Sequence, residues 1–176
     1  MARRVVLIRA INVGGAKLPM ADLRSLATEL GATEVSTYIA SGNLLCEPPG
    51  AAEDFDRALE AAITARFGYE REVISRSRDD LATALEAHPF TVAEPKFSYV
   101  YCLTGRPAAD RVTAFVERDF GGGEQLQVIG RDLHIRYPDG AGRSKLSATA
   151  IARGLGVQGT GRNLTTISKL IDLAGD

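Results

Sequence analysis

The segment with the clearest potential for chemistry is YPDGAGRSKLS, residues 137–147, which lies between a strand-like run and a helix-like run. Arg143 can make a two-pronged contact with an oxyanion, and Lys145 can supply a point charge. Ser144 is predicted to cap the following helix. The segment therefore indicates either a cradle for a phosphate or carboxylate group or a tight turn decorated with charges.

A second group of polar residues surrounds the sequence NVGGAK, residues 12–17, near the amino terminus. Free backbone amides at a helix start attract anions, because the helix dipole also favours negative charge there. The turn SGN, residues 41–43, adds hydroxyl and amide groups. The predicted ligand-binding residues are Arg9, Asn12, Gly14, Gly15, Lys17, Ser41, Asn43, Arg143, Ser144, Lys145, Arg162 and Asn163.

Known fingerprints of nucleotide, metal and nucleophile chemistry are absent from the sequence. NVGGAK and GAGRSK match neither G-x-G-x-x-G nor G-x-x-x-x-G-K-[ST], and no G-x-S-x-G motif occurs. Cys46 and Cys102 lie in apolar, strand-like stretches without a Cys-x-x-Cys pair, and no histidine has metal-ligand spacing. We therefore predict no cofactor and no metal, and the sequence identifies no catalytic residue and no reaction.

Other titratable residues have simpler interpretations. His88 precedes Pro89 at a predicted helix end, which indicates capping or packing. His134 alternates with apolar neighbours and is expected on an exposed strand face. Asp79 and Asp80 are typical of a helix start rather than of a paired-carboxylate site.

The net charge of −1 is unevenly distributed along the 176 residues. Residues 1–21 and 140–171 contain cations and no acid, whereas residues 22–139 have a balance of −8. This pattern predicts one local positive patch rather than a generally basic surface, although chance clustering of solvated charges gives the same pattern.

The elements that would position these residues alternate between strands and helices. Residues 5–11 form an apolar run of buried-strand length, and Pro19 suits the first turn of a helix that ends near Gly31. Two β-prone runs follow, joined through SGN. A second amphipathic helix ending at Gly68 and the strand-like EREVIS complete the order β-α-β-β-α-β.

The same order begins again in the second half. Ser77 and Asp80 form a variant capping box for a short helix, and KFSYVYCLT, a helix after Pro107 and the LQVIG–DLHIRY hairpin follow. Two amphipathic helices complete the chain, the last with Asn163 as its N-cap. We predict an α+β fold of two ferredoxin-like (split βαβ) halves, residues 1–90 and 91–176, with mainly antiparallel sheets and extra C-terminal helices. The second half is expected to end in a helix instead of a strand.

This topology has a geometric consequence. A split β-α-β sheet places its first two strands in the same direction, with the third antiparallel between them. NVGGAK and SGN then lie at one sheet edge. Residues 140–145 join them only if the two sheets pack head to tail, so a site between the halves is predicted on that condition.

Five segments resemble, in order and spacing, a bacterial family known as domain of unknown function 1697. These segments are LIRAINVGGAKLPMADL, TYIASGN, HPF, PDGAGRSKL and GRNLTTISKL, and the resemblance runs from about Val5 to Leu170. It implies two ferredoxin-like α+β halves and brings no established activity. The chain departs from the family pattern at Ala10, Ala40 and Leu164, where glycine, glutamine and tryptophan would stand. If that tryptophan stacks on a ligand, this chain would bind weakly or differently.

Composition predicts a compact cytoplasmic protein. The chain is 45% hydrophobic and 24% charged, which is an ordinary globular mixture. Arg9 limits the amino-terminal apolar run to about four residues, too short for a signal peptide, and no membrane span is expected.

Two functions from different classes remain open. The first is a small-molecule site, with or without catalysis, that binds an anionic phosphate- or carboxylate-bearing ligand. The second is a noncatalytic interaction module that binds RNA or its own copy through the alternating Phe97, Tyr99 and Tyr101. The same aromatic stripe would equally pack beneath helices, and the pI of 6.2 with no RNP1-like sequence makes nucleic acid the weaker partner. The number of subunits is not determined.

Overall fold

The structure is a computed structural model that describes residues 3–13 and 15–175. The chain divides into two compact units. The first unit runs to Leu81 and also includes the segment from Leu170 onward, and the second unit is Ala82–Lys169. The boundary between the two units falls within the third helix of the chain, before residue 90, where the sequence predicted the first half to end.

The first unit contains a four-stranded antiparallel sheet with two helices. Its elements are β1 (Arg4–Ile8), α1 (Met20–Glu29), β2 (Thr33–Thr37), β3 (Asn43–Glu47), α2 (Ala52–Phe67) and β4 (Val73–Ser77). The strand order is β2-β3-β1-β4, and all neighbours are antiparallel. β1 and β2 therefore point in the same direction on either side of β3, as predicted for a split β-α-β sheet.

The core of the first unit joins one face of this sheet to both helices. Val6 and Ile8 of β1 are fully buried against Leu23 of α1 and Leu59 of α2. The buried residues recur at every second position in β1 and at helical spacing in α1 and α2. The sequence pattern therefore predicted these elements correctly.

The second unit repeats this arrangement. Its elements, with the helices that cross the division, are α3 (Arg78–Ala87), β5 (Ser98–Leu103), α4 (Ala109–Val116), β6 (Gln125–Ile129), β7 (Asp132–Arg136), α5 (Ala148–Leu155), β8 (Gly159–Asn163) and α6 (Leu164–Gly175). The sheet order is β6-β7-β5-β8, again antiparallel throughout. The fold is α+β, with two four-stranded antiparallel sheets and a C-terminal helix.

β8 corrects the expectation that the second half lacks a final strand. Its sequence, GTGRN, has two glycines and no apolar alternation, so it has none of the usual strand signals. Packing requires these glycines. A Cβ on Gly161 would overlap the Tyr101 ring, and one on Gly159 would lie 2.8 Å from Leu103 Cδ2.

The helix caps agree with the sequence at two positions and differ at a third. Asp80 N donates to Ser77 Oγ and Ser77 N donates to Asp80 Oδ2, which confirms the capping box. Asn163 Oδ1 accepts from Thr166 N, as expected for an N-cap. The prediction that Ser144 caps α5 is wrong, because α5 begins later and Ser147 Oγ accepts from Ala150 N.

Cys46 and Cys102 are buried, and neither forms a disulfide within the described residues. Of the helices in the described ranges, none combines the length and apolarity that a membrane crossing demands.

Candidate functional site

Asn12 connects the two predicted loops of the first unit. Its Nδ2 donates to Ala40 O at 2.6 Å and to Leu18 O at 3.0 Å, while its Oδ1 accepts from Leu18 N at 2.9 Å. The loop after β1 and the turn between β2 and β3 are therefore neighbours, as the topology predicted. The amide of Asn12 is occupied by the backbone, so its role here is to hold these loops together.

Asn43 and Ser41 organise the turn itself. Asn43 is fully buried, and its Nδ2 donates to Tyr38 O and to Ser41 Oγ, both at 3.0 Å. Gly42 lies between them with φ 89°, and its carbonyl accepts from Ile8 N. These contacts assign the SGN turn a structural role in joining β3 to β1.

The remaining first-unit residues also have contacts within the protein. Arg9 Nε donates to Glu72 Oε1 at 2.9 Å, and the two side chains are roughly three-quarters buried. Lys17 is exposed, and its carbonyl accepts from Tyr69 Oη at 2.7 Å. Gly15 has φ 95°, and Gly14 lies outside the described residues. A ligand role for this group stays a prediction.

Arg162 and Asn163 end β8 in the second unit. Arg162 is only 7% exposed, and its Nη1 donates to Thr160 Oγ1 and to Gly161 O. Burial lowers the pKa of Arg162 to about 10. Since Asn163 caps α6, these two residues are part of the framework of the second unit.

Arg143, Ser144 and Lys145 line a surface hollow of about 470 Å³ in the second unit, here called the second-unit hollow. Residues 120–122 and 124 form one wall, and residues 137–140 with 143–145 form the other. Arg143 and Lys145 are exposed, and neither has an ion-pair partner among the described residues. The volume is within the range of small-ligand pockets.

The opposite wall already binds carboxylates through its backbone. Gly121 N donates to Asp119 Oδ1 at 2.7 Å, and Gly122 N donates to Glu124 Oε2 at 3.3 Å. Successive glycine amides form a natural anion-binding concavity. This loop was not among the predicted site residues, although the run Gly121–Gly123 after α4 is visible in the sequence.

Tyr137 forms the apolar part of the second-unit hollow together with Phe120 and Pro138. It is 4% exposed, its ring meets Tyr99 edge to face at 5.3 Å, and burial raises its pKa. Gly140 lies in the turn that follows Tyr137. A side chain at this position would place its Cβ 3.3 Å from Phe97 Cε1. Ser144 Oγ accepts from Leu146 N, so this hydroxyl stabilises the 143–145 bend.

Two residues of the predicted aromatic stripe, Tyr99 and Tyr101, lie in β5 and pack into the core, whereas Phe97 lies in the short turn before β5. Tyr99 and Tyr101 are partly buried against the apolar cluster that contains Phe115 of α4 and Ile151 of α5. Among the alternatives raised by the sequence, the structure shows packing beneath helices, and β5 offers no open aromatic face for stacked bases among its described residues.

His134 lies in a different environment from the expected one. The prediction of an exposed strand face is wrong, because His134 has no solvent exposure and its Nδ1 lies 3.0 Å from Nδ1 of His88. Val100 and Cys102, on the same face of the sheet, are also fully buried. The alternation of polar and apolar residues in β7 predicted one exposed face, but the middle of this strand is buried on both faces, so the alternation was misleading here.

Acidic and metal-ligating groups complete the site inventory. Within residues 3–13 and 15–175, no three His, Cys, Asp or Glu side chains converge where they could hold a metal ion. The lining of the second-unit hollow includes Glu124 and Asp139 beside Arg143 and Lys145. The lining therefore combines two cations with two carboxylates.

These features define a two-unit α+β protein with a small polar hollow in its second unit. The chain belongs to the family described as "Protein of unknown function (DUF1697)", whose model matches residues 1–134. A solved structure of the conserved bacterial protein SP0830 from Streptococcus pneumoniae is similar in fold, with a TM-score of 0.71, 23% identity and 98% coverage of each chain. The search of curated proteins found no match. The family match confirms the resemblance seen in the sequence and ends before Arg143.

Proposed function

We propose that this protein binds a small ligand carrying a phosphate or carboxylate group in the second-unit hollow. The observation that carries this proposal is the pair of exposed cations, Arg143 and Lys145, which line the hollow without an ion-pair partner among the described residues. Arg143 offers paired N–H donors to an oxyanion, and Lys145 adds a compact charge.

Other cations of the protein support this interpretation by contrast. Arg9 pairs with Glu72, and Arg66 pairs with Glu29. At the second-unit hollow, acids are also close at hand, yet Glu124 accepts from Gly122 N instead of from Arg143 or Lys145. The cations therefore remain available to an incoming anion.

The charge balance of the lining restricts the type of ligand. Arg143 and Lys145 are accompanied by Glu124 and Asp139, so the lining has no net charge. A polyphosphate would be repelled by the two carboxylates. A ligand with one anionic group and several hydroxyl donors, such as a sugar phosphate or hydroxy acid, satisfies both kinds of group. The proposal concerns binding and names no reaction.

The other predicted residues stay predictions. Arg9, Lys17 and Gly15 are candidate contacts in the first unit, and cytoplasmic location is supported by two buried cysteines that form no disulfide within the described residues. No observation favours RNA binding as a second function, since Tyr99 and Tyr101 pack into the core.

Thermal-shift measurements with inorganic phosphate, glucose 6-phosphate and the hydroxy acid lactate test the proposal. A ligand at 100 times its Kd adds about 2.7 kcal/mol, and hence raises Tm by about 5–10 °C for a chain of this size. We expect the shift to disappear in the double variant Arg143→Ala, Lys145→Ala. Arg106→Ala, an exposed cation of the same unit outside the hollow, is the matched control and should retain the shift.

The proposal fails if none of the three compounds changes Tm. It fails equally if a shift persists in the double variant, because the cations would then have no role in binding.

A further inference from the structure

The outer edge of β6 presents backbone groups that receive no hydrogen bond from the rest of the described chain. Gly130 and Arg131 form a two-residue turn between β6 and β7, with Ile129 opposite Asp132. In such a hairpin the flanking residues form a hydrogen-bonded pair, and bonded and non-bonded pairs then alternate. The N–H and C=O groups of Leu126 and Val128 therefore point away from β7.

These outward groups have no hydrogen-bond partner within residues 3–13 and 15–175. No hydrogen bond from the described residues reaches the backbone of Leu126 or Val128 from this side. β6 also lies at the end of the sheet order β6-β7-β5-β8. A strand edge of this kind is a template for pairing with another strand.

β6 lacks the features that usually prevent such pairing. Its sequence, QLQVI, has no charge and no proline, and its register with β7 is continuous. The other three edge strands each carry a charge: Glu34 in β2, Arg76 in β4 and Arg162 in β8. β2 is further protected by a register shift after Thr33.

We propose that β6 pairs antiparallel with β6 of a second copy of this chain, around a two-fold axis at Gln127. In this register Leu126 of each copy lies opposite Val128 of the other, and both pairs exchange their outward hydrogen bonds. The two four-stranded sheets then become one continuous sheet. This interface is isologous, so it closes as a dimer.

The side chains are compatible with this register. Leu126 and Val128 form apolar cross-strand pairs. Gln127 lies opposite Gln127 of the second copy, and its side-chain amide can both donate and accept a hydrogen bond. At each end the register brings Glu124 of one copy toward the Gly130–Arg131 turn of the other, which places opposite charges near each other. No like charges are opposed.

Sedimentation velocity of the full chain from about 1 µM to about 500 µM tests the proposal. We expect a concentration-dependent monomer–dimer equilibrium. Val128→Pro removes an outward N–H while leaving the β6–β7 hydrogen bonds intact, so we expect a monomer with native circular dichroism.

A charge-swap experiment defines the register and does not depend on how well the proline variant folds. Gln127→Lys and Gln127→Glu each place like charges across the axis and should weaken self-association by about tenfold or more. An equimolar mixture of the two variants should dimerise again. The control pair Gln125→Lys and Gln125→Glu should show no such recovery, because Gln125 lies opposite Ile129 in this register.

A wild-type chain that stays monomeric at the highest concentration would overturn the proposal. So would a dimer that Gln127→Lys leaves unchanged, or a mixture of the Gln127 variants that does not recover. Each result is independent of anion binding.

Discussion

Nδ1 of His88 and Nδ1 of His134 lie 3.0 Å apart in the second unit. One ring must donate its Nδ1 proton and the other must accept it, so the two rings adopt different tautomers. The Nε2 atoms of both rings are buried without a hydrogen-bond partner in the described residues. A positive charge on this pair is therefore poorly solvated.

We predict that this pair makes the protein less stable in mild acid. Burial lowers the pKa of His134 from 6.5 to about 4, with the nearby His88 as the second cause, and burial also lowers the pKa of His88. A group whose folded pKa is depressed contributes stability above its unfolded pKa and loses it as pH falls. The loss should run from about pH 6.5 to about pH 4 and reach about 3 kcal/mol.

Urea unfolding of the wild type and of His134→Phe at several pH values checks this prediction. The phenylalanine variant keeps the ring volume and should have a flatter pH profile in this window. An unchanged profile would show that the histidine pair does not carry the pH dependence.

The Asp56–Ser75 contact predicts the opposite pH dependence in the first unit. Asp56 is buried, its Oδ2 accepts from Ser75 Oγ at 2.7 Å, and its Oδ1 has no partner among the described residues. Burial raises the pKa of Asp56, although the Ser75 hydrogen bond and Arg4 oppose this. A raised folded pKa gives stability that is complete below the ordinary value of 3.8 and declines as pH rises through the folded pKa.

Asp56→Asn should therefore remove this decline, so its stability relative to the wild type should increase with pH. Ser75→Ala removes the hydrogen bond that lowers the pKa and should extend the decline to higher pH. Urea titrations between about pH 3 and about pH 7 measure both effects. Parallel profiles for all three proteins would contradict the assignment.

Gly42 is predicted to be intolerant of any side chain. It has φ 89°, and a Cβ would lie 2.8 Å from Ile8 O, a backbone atom that cannot move away. Gly68 has a similar φ of 78° with nothing within 4 Å of a Cβ. Gly42→Ala should lower the free energy of unfolding by about 2–4 kcal/mol, and Gly68→Ala by about 1 kcal/mol. Chemical denaturation measures both variants. If both lose the same free energy of unfolding, then the contact between the new Cβ and Ile8 O does not destabilise the protein.

Glu124 is predicted to weaken anion binding in the second-unit hollow. Its carboxylate occupies the Gly122 amide and repels an anion held by Arg143 and Lys145. Glu124→Gln keeps the shape and removes the charge, so the affinity for inorganic phosphate should rise by about fivefold and less at high salt. Isothermal titration calorimetry measures this change, with the exposed Glu117→Gln as control. If Glu124→Gln has the wild-type affinity while the double cation variant has lost binding, then Glu124 lies away from the bound anion.

Local chemistry was sufficient to predict much of the fold. The apolar run of β1, the Ser77–Asp80 capping box and the Gly68 helix end each depend on residues within a few positions of one another. The Asn12–Ala40 contact followed from the topology because a split β-α-β sheet brings those loops to one edge.

The candidate site was only partly predictable. Arg143 and Lys145 stood out because charge is visible in a sequence. Glu124 and the glycine wall were missed because their role depends on which segments fold beside residues 143–145. Arg162 was a candidate contact by its charge, yet the structure buries it.

The sequence alone determined most of the element order, the hairpin turns and the acid-free run of cations near the carboxyl end, because periodicity, turn chemistry and charge are local properties. Only the tertiary structure decided that GTGRN is a strand, that His134 is buried beside His88, and which polar groups are already bonded within the protein. These outcomes depend on contacts between residues far apart in the chain, and such contacts leave no periodic signal in the residues that make them.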